Sequence, residues 1–184
     1  MYLKLFLIFF LCNIIKVNLE SGQPFVSPVL NRPKPGLPNG FSYNGKRYYI
    51  GSVFKANYFK ATQYCREQGM QLLSISNHLE NEKLGKFIGD KGLALTWFWT
   101  SGTNLVNDWT PGTNLAGEWV WLSTGQQYTY TNWFINEPSN VTSDNRAENC
   151  MIAFLSVGQH GFTWNDVVCE TKCFFICETI SNCS

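Results

Sequence analysis

The sequence predicts an α+β domain in which two helices flank short antiparallel strands. Helical periodicity of apolar residues is confined to two segments before residue 90. After residue 100 the apolar runs are short, and loops rich in Gly, Asn, Thr and Ser separate them. Helices followed by a run of strands are the order expected of an α+β domain. Residues 101–118 and 132–149 are long and loop-like, and loops of that length in compact domains are commonly functional.

The first 21 residues have the pattern of a secretory signal peptide. Residues 5–11 are continuously apolar and follow Lys4, but the run is shorter than the roughly 20 apolar residues needed to cross a bilayer. We therefore expect a secreted protein without a membrane span. Residues 22–40 contain five prolines and no hydrophobic period, which predicts an extended leader. The folded domain is expected at residues 41–180, with a tail at 181–184.

Charge and cysteine content narrow the class of protein further. Removal of residues 1–21 takes two lysines and one glutamate from 14 basic and 13 acidic residues, which leaves 12 of each. A net charge near zero argues against nucleic acid or an acidic membrane as the main partner. Six of the seven cysteines remain, and an even number in an oxidising compartment implies disulfides. Six cysteines allow 15 pairings, so their number alone leaves the connectivity open.

Two asparagines mark the expected starts of the helices. Asn57 predicts the cap of a helix that ends near Gly69, and Asn77 with Glu80 predicts a capping box for the second helix. The inner faces are expected to carry Tyr58, Ala61 and Cys65 in the first helix and Leu84, Phe87 and Ile88 in the second. The expected strands include residues 46–51, 72–75, 97–99, 119–121, 151–155, 162–164 and 174–176.

The segment 133–166 gathers side chains that carry oxygen ligands. They are the carboxylates of Glu137, Glu148 and Asp166, the amide of Asn165 and the hydroxyl of Ser139. Because calcium takes six to eight oxygen ligands in a flexible shell, the segment predicts a calcium site that holds a sugar. Two alternatives are less favoured. Pro-Ser and Asn-Asp also occur in ordinary turns, and Glu137 with Asp166 could form an acid–base pair for glycoside hydrolysis.

An ordered set of motifs makes the chain from about residue 41 to 178 resemble the C-type lectin-like domain, most of all the small secreted single-domain lectins of insects. The motifs are Cys65, Trp97-Phe98-Trp99-Thr100-Ser101-Gly102, Trp119-Val120-Trp121, Asn132-Trp133, Glu137-Pro138-Ser139, Glu148-Asn149-Cys150, Trp164-Asn165-Asp166, Cys169 and Cys177-Glu178. The resemblance implies the C-type lectin-like fold, with a long calcium-binding loop region and a binding function rather than an enzymatic one.

The resemblance also implies two disulfides, Cys65–Cys177 and Cys150–Cys169. Cys173 and Cys183 lie outside the family's pattern. We favour a bond between these two within the chain, since closing a short loop costs little entropy. The alternative is an intermolecular bridge that would give a dimer.

In sugar-binding members of the family, five residues hold the calcium ion and contact the sugar. The resemblance assigns both roles here to Glu137, Ser139, Glu148, Asn165 and Asp166, with a cis Glu137–Pro138 bond. Two neighbouring sugar hydroxyls would complete the calcium shell, while carboxylates accept and amides donate hydrogen bonds to them. Sugar binding should therefore require Ca²⁺ and be lost when the carboxylates are protonated.

Ser139 is the departure from the family's usual Asn or Asp, and its short uncharged side chain predicts weaker calcium or sugar binding. Glu137 implies mannose-type sugars, because galactose-type members usually carry Gln there; galactose is left open. Asn140 and Asn149 stand where acids would hold an auxiliary calcium, which predicts one strong calcium site. Asn140-Val141-Thr142 is also an N-glycosylation sequon, so a glycan on Asn140 would block the site or fill a neighbour's.

These features predict a secreted calcium-dependent lectin that recognises glycans, in a role such as innate immunity. The alternative is a protein-interaction module on the same fold, in which Ser139 marks a lost sugar site. One site per chain binds simple sugars weakly, so oligomers or clustered ligands would raise avidity. The sequence has no collagen-like or heptad segment to build an oligomer.

Overall fold

The computed structural model describes residues 40–105, 118–158 and 161–180, and within them it has the predicted α+β class. The predicted signal peptide, most of the leader and the tail lie outside these residues. No helix among the described residues is long and apolar enough to cross a membrane. The strands are β1 (Gly40–Tyr43), β2 (Lys46–Ala56), β3 (Met70–Leu72), β4 (Phe98–Thr103), β5 (Val120–Trp121), β6 (Gln126–Gln127), β7 (Cys150–Leu155), β8 (Phe162–Val167) and β9 (Cys173–Thr179); the helices are α1 (Tyr58–Glu67) and α2 (His78–Asp90).

Both helices begin where the sequence predicts. Asn57 Oδ1 accepts from the backbone N–H of Lys60 (2.9 Å), and Asn77 Oδ1 accepts from that of Glu80 (2.9 Å). The predicted capping box is only half correct, because the Glu80 carboxylate accepts from the N–H of Ser76 (2.7 Å), one residue before the cap. The helix starts depend only on neighbouring residues. The Glu80 side chain, in contrast, also pairs with Lys46 of the distant strand β2.

The sheet departs from the purely antiparallel expectation at one pair of strands. Its main path runs β1-β2-β9-β4-β5-β6, with β3 on β9 and β7 between β4 and β8. β4 and β9 run parallel, and every other strand pair is antiparallel. The predicted loop at 101–118 starts later than expected, because residues 101–103 belong to β4; residues 106–117 lie outside the described part.

Each helix covers its own cluster of buried residues. Trp99 and Phe175 pack in the cluster that contains the inner face of α1. Their neighbours Phe98 and Ile176 belong to the cluster that contains the inner face of α2. Because successive strand residues point to opposite faces, β4 and β9 are buried on both sides. Trp164 is completely buried in the second cluster, as expected of a core residue.

The two disulfides implied by the resemblance are present. Cys65–Cys177 joins α1 to β9, and Cys150–Cys169 joins the start of β7 to the segment after β8. Cys173 is buried and has no disulfide partner among the described residues. Cys183 lies outside them, so the Cys173–Cys183 pair stays a prediction.

A buried ion network connects β2, α2 and β9. Lys46 Nζ lies 3.0 Å from Glu80 Oε1 and 3.1 Å from Glu178 Oε2. Glu178 also accepts from Ser74 Oγ (2.6 Å) and Gln71 Nε2 (3.0 Å). Burial raises the pKa of Glu178, although the charge of Lys46 and these hydrogen bonds oppose the rise. The network therefore depends on a lysine whose removal would leave two buried carboxylates without a cation.

Candidate calcium and carbohydrate site

The loop that carries the candidate site is attached to β8 at its start. Trp133 forms a parallel β-bridge with Trp164. The Phe134 N–H donates to the carbonyl oxygen of Trp164 (2.8 Å), and Asn132 Nδ2 donates to that of Phe162 (2.9 Å). These contacts place the following residues beside Asp166, two residues further along β8.

The far end of the loop returns to β7. A bridge pairs Val141 with Ala147, and the Glu148 N–H donates to the carbonyl oxygen of Asn140 (2.9 Å). Glu148 lies two residues before the disulfide-bonded Cys150, which begins β7. The loop therefore folds back on itself and brings Glu148 next to the cis Glu137–Pro138 segment.

Four of the five predicted ligands form one hydrogen-bonded group. The Ser139 N–H donates to Glu137 Oε2 (2.9 Å) and to Asp166 Oδ1 (3.0 Å). Ser139 Oγ donates to Glu148 Oε2 (3.0 Å). The N–H of Asn140 donates to Asp166 Oδ2 (2.6 Å). The carboxylates of Glu137 and of the completely buried Asp166 thus meet at the backbone of residues 139 and 140, and that of Glu148 meets the Ser139 hydroxyl.

Asn165, the fifth predicted ligand, is placed differently. It precedes Asp166 in β8 and is paired in register with Ile152. Its Oδ1 is buried and has no hydrogen-bond partner among the described residues. An unsatisfied buried acceptor is rare and unfavourable in a folded protein, so this oxygen is suited to a cation or a donor supplied by a ligand.

The electrostatics of the group also suit a cation. Burial raises the pKa of Glu137, and its hydrogen bond with Asp166 raises it further. Burial raises the pKa of Glu148 as well, and the charge of Asp166 adds to the rise. Arg146 is a basic residue of the same loop, but its guanidinium is paired with Asp144 (2.9 Å). Three crowded carboxylates repel each other when ionised, and a divalent cation would relieve that repulsion.

The available donors fit calcium rather than a softer metal. All are oxygens, namely carboxylates, the Asn165 amide and the Ser139 hydroxyl, which are the ligands that calcium prefers. No group of three or more His, Cys, Asp or Glu residues among the described residues could hold a metal by itself. A calcium site here would therefore depend on Asn165 and Ser139 in addition to the carboxylates.

The sequence did not indicate the part played by Asn140. Its backbone N–H occupies one oxygen of Asp166 and its carbonyl accepts from Glu148, so it connects two predicted ligands. Asn140 has a positive φ of 63°, a conformation that Asn tolerates better than most residues. That preference is a signal for a tight turn, but it does not reveal which side chain the turn's N–H contacts.

Comparison with known proteins gives consistent matches. Residues 54–179 match the family model described as "Lectin C-type domain". C-type lectin 37Db of Drosophila melanogaster is 30% identical over 178 residues, covering 97% of this chain and 99% of that protein. C-type lectin mosGCTL-7 of Aedes aegypti is 28% identical over 138 residues, covering 73% and 84%. The carbohydrate-recognition domain of human scavenger receptor C-type lectin is 26% identical with a TM-score of 0.61, covering 79% of this chain and 98% of that one.

The family that matches is a lectin family, and its domains are not enzymatic. This sets aside the alternative in which Glu137 and Asp166 hydrolyse a glycoside. The family match spans most of the chain, and its order of motifs, its two disulfides and its fold agree. The chain belongs to the C-type lectin domain family.

Proposed function

We propose that this chain is a secreted, calcium-dependent lectin that binds mannose-type sugars through Glu137, Ser139, Glu148, Asn165 and Asp166. The observation that carries the proposal is the hydrogen-bonded group of Glu137, Ser139, Glu148 and Asp166. Asn165 precedes Asp166 in β8, and its buried Oδ1 has no hydrogen-bond partner among the described residues. Calcium, when bound, would supply a positive centre for two neighbouring hydroxyls of a sugar. The predicted signal peptide and the likeness to small insect C-type lectins support secretion.

The protein side chains would orient the sugar. Glu137 and Glu148 are partly exposed and can accept hydrogen bonds from sugar hydroxyls, while the Asn165 amide can donate one. Ser139 is exposed, but its Oγ already donates to Glu148. A serine in that state can offer lone pairs but no further proton, so it cannot replace the amide donor that an asparagine would supply. We therefore expect modest affinity for single sugars.

Retention on immobilised mannose and galactose, with calcium or with a chelator, tests the proposal. We expect calcium-dependent retention on mannose and stronger retention of Ser139→Asn, because the amide adds an oxygen ligand and a donor. Ser143→Asn makes the same change at an exposed serine of the same loop and should behave as the wild type. If the wild type shows no calcium-dependent retention on any sugar, the lectin proposal is wrong.

A second candidate is a protein-interaction module on the same fold. The substitution at Ser139, whose hydroxyl is already engaged by Glu148, is the observation that favours it. This candidate predicts no heat of calcium binding near millimolar calcium. The lectin proposal predicts binding in that range.

A further inference from the structure

The geometry points to an N-glycan on Asn140 that controls access to the sugar site. This inference rests on the proposed lectin function and adds a means of regulating the same site. It starts from the sequon Asn140-Val141-Thr142, which lies within the loop that carries the predicted ligands. Glycans at such sequons are bulky and attach to surface positions.

The Asn140 side chain is available for a glycan. The residue is exposed, and the one hydrogen bond from its Nδ2 to a described residue is a long one to the carbonyl oxygen of Pro138 (3.3 Å). Nδ2 is the atom that would carry the glycan. Attachment there would cost at most one weak hydrogen bond and would bury no polar group.

The Asn140 backbone, by contrast, is fixed at the site. Its N–H donates to Asp166 Oδ2 (2.6 Å), and its carbonyl oxygen accepts from the N–H of Glu148 (2.9 Å). Both partners are predicted calcium ligands, and Ser139 directly precedes Asn140. A glycan on this residue would therefore be attached to main chain that is held at the site by both of these hydrogen bonds.

The state of Thr142 indicates when the glycan would be added. In the folded loop its Oγ1 accepts from the Arg146 N–H (2.9 Å) and donates to Asp144. The hydroxyl of the third sequon residue is required for modification, and folding engages it in this turn. Modification should therefore precede folding of the loop, so that the glycan is in place before the calcium site forms.

The expected consequence is steric competition. A glycan that covers the site for about nine-tenths of the time would lower the apparent affinity about tenfold, because only the uncovered fraction can bind. The effect should be larger for a branched, surface-bound glycan than for a free monosaccharide, since a small sugar needs less open space. Calcium binding should change little, because the ligands themselves are unmodified.

The test uses the full chain secreted from a eukaryotic host that adds mannose-rich glycans. Three forms are compared: intact, trimmed enzymatically to the first sugar, and Thr142→Val, which lacks the sequon. Thr142→Ser keeps both the hydroxyl and the sequon and serves as the matched control. Asn182→Gln removes the other formal sequon, Asn182-Cys183-Ser184, and should leave binding unchanged. Peptide mass reports occupancy, and calcium-dependent binding to an immobilised mannose polymer reports access.

We expect a modified Asn140 peptide and about tenfold stronger polymer binding by the trimmed form and by Thr142→Val. An unmodified Asn140, or equal binding by the intact and trimmed forms, would overturn the inference. Absence of calcium-dependent binding in every form, including Thr142→Val and the trimmed chain, would instead contradict the proposed lectin function. Occupancy and access are measured separately, so the two failures are distinguishable.

Discussion

Replacement of Lys46 by methionine tests the buried ion network. Lys46→Met keeps the length of the side chain and removes the charge that lies 3.0 Å from Glu80 and 3.1 Å from Glu178. The two carboxylate side chains are only 4% and 0% exposed, and the lysine side chain is 24% exposed. Removing one partner of a buried ion pair costs about 3–5 kcal/mol, and the partial exposure of Lys46 places the estimate near the lower end.

The assay is urea unfolding at neutral pH, with Lys86→Met as the matched control. Lys86 pairs with Asp90 on the surface (2.8 Å), with the side chains 71% and 61% exposed, and such helix pairs are worth only about 0.3–0.5 kcal/mol. We expect Lys46→Met to lose several times more stability than the control. Equal losses in the two variants would refute the assignment of the network as a buried, mutually dependent unit.

The same variant has a predicted pH dependence. Burial already raises the pKa of Glu178, and loss of the Lys46 charge should raise it further. A carboxyl whose folded pKa lies above its unfolded value destabilises the protein as pH rises through that interval. The stability cost of Lys46→Met should therefore be smaller near pH 5 than near pH 7. Glu178→Gln added to Lys46→Met should restore part of the loss at neutral pH, and a purely additive double variant would contradict this.

Two further predictions concern the calcium site and the disulfides. Burial and Asp166 raise the pKa of Glu137 above its ordinary value, so protons should compete with calcium at a higher pH than at an ordinary glutamate. Calorimetry should therefore show weaker calcium binding near pH 5 than near pH 7. Equal affinities at the two pH values would contradict this. The Cys65–Cys177 bond spans 112 residues and Cys150–Cys169 spans 19, which correspond to about 5 and about 3 kcal/mol of unfolded-state entropy. Urea unfolding of the paired alanine variants should show the larger loss for Cys65–Cys177, and the reverse order would argue against the entropic account.

Local features of the fold were predictable from the sequence. The caps at Asn57 and Asn77 require only a side chain and an N–H three residues later, so the pattern identifies them directly. The capping pattern predicts only local partners for Glu80, but one carboxylate oxygen accepts from the Ser76 N–H and the other pairs with Lys46 of a distant strand. The distant partner depends on how the whole chain folds, which the local pattern does not show. The parallel β4–β9 pair is non-local for the same reason.

The site was predicted unevenly. The resemblance indicated all five candidate ligands, and the structure brings Glu137, Ser139, Glu148 and Asp166 into direct contact. The resemblance did not indicate that backbone N–H groups of the loop donate hydrogen bonds to both oxygens of Asp166. Every residue except proline carries such a group, so no residue type marks it, and only the folded loop shows which N–H points at the carboxylate.

Calcium titration of the secreted chain by calorimetry tests the central claim most directly. The matched pair is Asp166→Asn, which removes a buried carboxylate of the group, and Asp144→Asn, which removes an exposed carboxylate of the same loop that pairs with Arg146. The account predicts one calcium per wild-type chain, with a dissociation constant on the order of 10⁻⁴–10⁻³ M as in extracellular modules. Binding should be lost in Asp166→Asn and kept in Asp144→Asn. Absence of calcium binding by the wild type, or binding that survives in Asp166→Asn, would contradict the account.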